Sequence, residues 1–220
     1  MKLRKAVVSM LNLTPEKTQF LLDRGIPQKY LVITDEASYT TNFNKLVQVL
    51  QEKSLFVYGG VGVGKTQLVC DLMADLSDLK TAIKEVGEWD EESNYILVPK
   101  EVFDNNLFKY YSMPRLLIEI RGLYSSNKDL DRFLNDLMKY EYLVLDDIGV
   151  EKPTDWVMET VYVLLNERYE QGKKLVFTSN KNVEELASSL GDRVASRIVE
   201  MCDIIKLNGV DRRLNGRQAK

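Results

Sequence analysis

The 220-residue sequence contains no histidine, and its two cysteines, Cys70 and Cys202, stand far apart. Without imidazole there is no histidine general base and no histidine-ligated metal. Without a CxxC pair there is no structural zinc site, and lone cysteines fit a reducing compartment, so a cytoplasmic location is expected. No run of 18 apolar residues occurs, so no membrane span is expected. The start, MKLRKAVVSMLNL, has a basic tip and a short apolar run. It is too short and polar for an export signal, and no small-residue cleavage site follows. The chain also lacks internal repeats and Gly/Ser/Pro-rich linkers, which argues for one domain. Basic residues are slightly outnumbered, 30 against 33, for a net charge of −3. That excludes a broad nucleic-acid-coating surface and leaves room only for a local basic groove.

What is present is an alternation of apolar strands and amphipathic helices. Thr14-Pro15-Glu16 reads as a helix start, with Gly25 as its stop. Further helices are expected at 44–53, 66–79, 114–124, 129–140, 154–171, 182–191 and 192–201. Continuous apolar strands are expected at 55–58, 107–111, 142–145, 175–177 and 204–207. Strands apolar on both faces and alternating with helices indicate a parallel α/β sheet sandwiched by helices. The stretch 82–106, with its acidic GEWDEESN, reads as an exposed excursion with one short strand at 95–98.

Residues 55–67 read LFVYGGVGVGKTQ. An apolar strand leads into Gly59-Gly60-Val61-Gly62-Val63-Gly64-Lys65-Thr66, which fits GxxxxGK[ST] at the start of a helix. Such glycines let backbone N–H groups curl around phosphates, and the helix N-terminus adds its positive dipole end. Lys65 is expected to reach the β- and γ-phosphates and Thr66 to ligate Mg²⁺. The adjoining Gln67 completes the nucleotide-contacting set. The strand YLVLDD (142–147) delivers two carboxylates to a strand end, where α/β sheets bind ligands. Asp146 is expected to hold Mg²⁺ and Asp147 to polarise the attacking water. Asn180, ending the TSN after the next strand, either orients water near the γ-phosphate or caps the following helix. Arg193 and Arg197 are four apart, so they share a helix face opposite Val194, Ala195, Ile198 and Val199. That face is either solvated or offers an arginine in trans to a neighbouring subunit's nucleotide. Tyr110, Tyr111 and Arg115, near a strand-to-helix turn, are core and surface residues or a stacking platform for single strands.

In order, GIPQKYL (25–31), the glycine loop, YLVLDDIG (142–149), YEQGKKLVFTSN (169–180), GDRVASRI (191–198) and GVDRR (209–213) resemble the DnaC/DnaI-type helicase loaders of the AAA+ ATPases, with IstB-type transposition helpers as relatives. The resemblance covers about residues 25–213. It implies a P-loop AAA+ core over 25–220 behind a short helical extension, 1–24, with little or no C-terminal lid. It makes Lys65 and Thr66 the Walker A pair, Asp146 and Asp147 the Walker B pair, and Asn180 sensor 1. Arg197 becomes the trans arginine finger, with Arg193 second, and Arg213 the sensor 2 arginine beside Arg212. It further implies ATP and Mg²⁺ as cofactors, ATP hydrolysis, side-by-side homo-oligomers, single-stranded DNA, and a replicative helicase as partner. Three alternatives stay open: a transposition helper, an ATP-switched adaptor that barely hydrolyses, and a small-molecule kinase suggested by Asp131-Arg132-Phe133.

Overall fold

The structure, a computed structural model, describes residues 13–31, 43–89, 95–125, 130–150, 152 and 154–211. Helix α1 (Pro15–Asp23) begins where the sequence predicts: the Thr14 hydroxyl accepts from the Lys17 amide at 3.1 Å, with Pro15 in the first turn. A single 3₁₀ turn at Gln28–Tyr30 and helix α2 (Phe43–Glu52) precede strand β1 (Ser54–Tyr58) and helix α3 (Lys65–Lys80). Strands β2 (Ala82–Trp89) and β3 (Tyr95–Val102) follow, then β4 (Phe108–Ser112), α4 (Met113–Ser125) and α5 (Leu130–Lys139). The chain continues through β5 (Tyr142–Asp146), α6 (Asp155–Glu170), β6 (Lys174–Ser179), α7 (Val183–Leu190), α8 (Asp192–Met201) and β7 (Cys202–Lys206).

Five strands form one sheet in the order β4-β5-β6-β1-β7, with every neighbouring pair parallel. Alternation along each strand feeds two cores, one on each face. Leu55, Val57, Phe108, Tyr142, Val144 and Val176 face the side covered by α1, α2 and α3. Phe56, Leu143, Leu145, Leu175 and Phe177 face the side covered by α4 to α8. The expected sandwich is therefore present. Phe20 and Leu21 of α1 lie in the first core. Arg168 of α6 is fully buried and donates to the carbonyls of Leu137, Tyr140, Glu141 and Lys174, stitching α5 to the starts of β5 and β6. Burial lowers its pKa to about 10.

Two expectations are corrected. The stretch after Lys80 is not an open excursion with one strand: β2 and β3 pair antiparallel over eight positions, from Ala82–Val102 to Trp89–Tyr95. Residues 90–94, most of the acidic run, lie outside the described residues. The inner face of α8 excludes Val199, which is 56% exposed, because Val194, Ala195 and Ile198 already fill the stripe that meets the sheet. Among the described residues no helix is long and apolar enough to cross a membrane.

Candidate functional site

The sheet is parallel, so β1, β5 and β6 end side by side on one edge, and the loops leaving them share a crevice. After β1 the chain turns through 59–64 and enters α3. Gly62 has φ +75, and a Cβ there would lie 1.7 Å from a carboxylate oxygen of Asp211. A Cβ on Gly59 would lie 2.2 Å from the Leu207 carbonyl oxygen. Both glycines therefore admit the segment after β7, which is tied down where the Leu207 amide donates to the Tyr58 carbonyl at 2.7 Å.

Lys65 is only 6% exposed. Its Nζ donates to the Gly59 carbonyl at 3.0 Å, the Gly60 carbonyl at 2.8 Å and Asn180 Oδ1 at 2.7 Å. These neutral oxygens hold the ammonium at the mouth of the loop, where a phosphate is a stronger acceptor. The Thr66 hydroxyl donates to both oxygens of Asp146, at 2.9 and 3.2 Å. Asp146 is 5% exposed and also accepts from Thr178 Oγ1 at 2.6 Å and from the Tyr110 hydroxyl at 2.6 Å. Thr178 in turn accepts from the Asp147 amide at 2.9 Å. Asp147 sits at φ +60, an uncommon conformation for a residue with a side chain. One threonine on β6 thus braces the Asp146 carboxylate and the backbone amide of Asp147, a role that sequence reading did not assign to it.

For Tyr110 the structure decides between the two alternatives that the sequence leaves open, in favour of the core. Of the three residues considered for stacking on nucleic acid, it is buried, with its hydroxyl on Asp146. Burial first, then the Asp146 charge, holds its proton on well above the ordinary phenol range. The signal was the two-residue period of β4: Tyr110 shares a face with Phe108, and a buried phenol needs an acceptor. Tyr111 faces the other way, meets Phe133 edge-on at 6.4 Å, and is pushed up to about 12, chiefly by burial.

The crevice is a cleft of about 950 Å³, ample for a nucleotide. Its walls include the glycine loop, Thr66, Gln67, Asp146, Asp147 and Asn180, and it continues past Tyr110 to Lys109, Tyr111 and Arg115. Gln67 Nε2 donates to the Tyr30 carbonyl at 3.1 Å and to Asp71 Oδ1 at 2.8 Å, joining α3 to the GIPQKYL segment. Thr66, Asp146 and Asp147 offer hard oxygen donors. Among the described residues no group of three acids, cysteines or histidines holds a metal unaided. That donor set fits Mg²⁺, which takes one or two carboxylates and completes its shell with substrate phosphates and water.

Neither Arg193 nor Arg197 lines the cleft of its own chain. Arg197 stacks 4.4 Å over Tyr169, donates through Nε to Asn166 Oδ1 at 3.0 Å, and pairs with Glu200 at 2.6 Å. Arg193 lies 5.9 Å over the Tyr162 ring. Arg212 and Arg213 fall outside the described residues.

This geometry agrees with what the chain is similar to. A family model described as IstB-like ATP binding protein matches residues 105–219. The replicative helicase loader DnaI of Bacillus subtilis (strain 168) is 30% identical over 176 residues, 73% of this chain and 48% of DnaI. The chain thus spans about half the length of that relative, and 26% of the DnaA replication initiator of Geotalea daltonii, which is 27% identical over 146 residues, 65% of this chain. Among solved structures, the DnaC helicase loader superposes with a TM-score of 0.63 at 22% identity, covering 83% of this chain and all of that one. AMPPCP-bound DnaA from Aquifex aeolicus gives 0.61 at 16% identity, covering 84% of this chain and 51% of that one. The sheet order and its nucleotide cleft are those of an AAA+ P-loop domain, and the chain belongs to the IstB-like ATP-binding family.

Proposed function

We propose that this protein is an ATP-dependent helicase loader of DNA replication, which binds ATP with Mg²⁺ and single-stranded DNA and places a replicative helicase on that DNA. The observation that carries the reading is a single cleft with two kinds of wall. One wall is the prepared phosphate site of Lys65, Thr66, Asp146 and Asn180. The other presents Lys109, Tyr111 and Arg115, a cation–aromatic surface of the sort that holds single strands without sequence preference. The DnaI relative and the DnaC neighbour, both named as helicase loaders, supply the partner class.

In this reading the loop amides and Lys65 bind the β- and γ-phosphates. Thr66 and Asp146 would hold Mg²⁺, which would supply charge neutralisation on those phosphates. Asp147 orients a water for in-line attack on the γ-phosphorus, and Asn180, leaving Lys65, contacts that water or the γ-phosphate. The bond from the γ-phosphorus to the β-bridging oxygen breaks, and ADP and phosphate leave. Arg197 stabilises the transferring charge from a neighbouring copy. Its position outside its own cleft supports a role in trans.

ATP turnover of the purified protein with and without single-stranded DNA, across protein concentrations, tests the proposal. A rate that rises with both is expected; a flat, slow rate would leave a binding switch. Arg197→Ala should keep the nucleotide affinity of an isolated subunit and lower turnover about 10³-fold or more. Normal turnover in that variant moves the role to Arg193 or removes it. The name of the matching family favours one other reading, an IstB-type transposition helper. Stimulation by duplex rather than single-stranded DNA would select it.

A further inference from the structure

Tyr110 has no part in the reaction just described, yet its hydroxyl is one of three that close on Asp146. We propose that Tyr110 is a positioning residue for the divalent-cation site: its phenol fixes the plane of the Asp146 carboxylate and so sets the affinity of that site for Mg²⁺. The proposal rests on the Mg²⁺–ATP reading above and adds to it a residue that the loop and diacid motifs do not contain.

The terminal torsion of an aspartate is broad, so its carboxylate plane is set by what surrounds it. At Asp146 the donors are divided between the oxygens. Thr178 takes Oδ1 at 2.6 Å, Tyr110 takes Oδ2 at 2.6 Å, and Thr66 bridges both from the loop side. Rotation of the carboxylate breaks at least one short bond. Thr66 is itself a cation ligand in this reading, which leaves Thr178 and Tyr110 as the fixed pair.

Tyr110 is well anchored for the task. It pairs with Val144 in the β4–β5 register, two positions before the Ser112–Asp146 pair and so on the same face of the sheet. Its amide donates to the Arg24 carbonyl at 2.8 Å, and its ring belongs to the core under α1, α2 and α3. Hydrogen-bond partners behind a metal-binding carboxylate commonly govern metal affinity by about 10–100-fold.

The test is Tyr110→Phe, which keeps the ring and removes only the hydroxyl. The readout is the dissociation rate of a fluorescent, non-hydrolysable ATP analogue as Mg²⁺ is titrated, with a parallel measurement in EDTA. Analogue affinity in EDTA should stay within about twofold of wild type, while the Mg²⁺ concentration for half-maximal retention rises about tenfold or more. Phe108→Leu, a packing change on the same face of β4, should not shift the Mg²⁺ midpoint. An unchanged midpoint in Tyr110→Phe, or an equal shift in Phe108→Leu, overturns the proposal and leaves the ATP reading standing. Absence of analogue binding by wild type overturns both. Should the Phe variant not fold, ¹⁹F spectra of fluorotyrosine-labelled wild type decide. The Tyr110 signal must move on adding Mg²⁺ to the analogue complex, and a fixed signal overturns the proposal.

Discussion

On the loop side of the cleft, Lys65 and Asp146 are buried and make short hydrogen bonds, Lys65 to Gly59, Gly60 and Asn180, Asp146 with Thr66, Thr178 and Tyr110. On the β4–α4 side, Lys109 and Tyr111 are half-buried and Arg115 is exposed. Lys109 reaches back to the Asp23 carbonyl at 2.9 Å and lies 5.9 Å over Tyr111. The first side is preorganised for a small, highly charged ligand that must be held in one geometry. The second offers area, charge and a ring face, which suits a chain held loosely and without sequence preference. One strand serves both: Tyr110 points into the first side and Tyr111 into the second.

The sharpest way to break this contrast is at Lys65. Lys65→Ala removes an ammonium placed to make charge-assisted bonds worth about 1.5–3 kcal/mol each. Equilibrium titration with labelled ATP should show affinity falling a hundredfold or more, with single-stranded DNA binding retained. Unchanged ATP affinity would remove the loop as the phosphate site.

The opposite half is expected to respond less and in a different currency. Tyr111→Ala removes a stacking face worth about 1–3 kcal/mol per base. Arg115→Ala should lessen the dependence of log affinity on log salt by about 0.7, the share of one single-strand phosphate contact. Fluorescence anisotropy with an oligo-dT at several salt concentrations reads both, and ATP affinity should hold. If Tyr111→Ala leaves DNA affinity intact, the cleft binds nucleotide alone.

How far each half was legible in the sequence follows from the same difference. Lys65, Thr66 and Asp146 announce themselves because a loop of glycines and a strand-end diacid are short, local patterns. The sheet was legible because its strands are apolar on both faces. The braces were not: Thr178 and Tyr110 reach Asp146 from separate strands, and only the order β4-β5-β6 brings them together. The β2–β3 pairing was missed because a half-polar hairpin carries neither a continuous apolar run nor a clean alternation. Arg197 shows a related limit, since spacing places it on a helix face but not on Tyr169 and Glu200.

The smallest expected effect lies behind the loop side, at Asp71. Its carboxyl is raised from 3.8 to about 6, first by burial and then by Asp75, against the lowering effect of the Gln67 hydrogen bond. The folded protein thus binds this proton more tightly than the unfolded chain. The stability it contributes is complete below the unfolded value and is lost as pH rises from about 4 through 6. At pH 7 the deficit is at most about 3 kcal/mol, and less because part of the group still reaches water. Asp71→Asn keeps an oxygen for Gln67 and removes the charge. Its melting temperature should exceed wild type by a few degrees at pH 7, and the gain should vanish near pH 4. ATP affinity should change little, because Gln67 keeps its place between α3 and Tyr30. A gain that does not depend on pH would mean that packing, not the buried charge, separates the two proteins. A large loss of ATP affinity would instead make Asp71 part of the phosphate side.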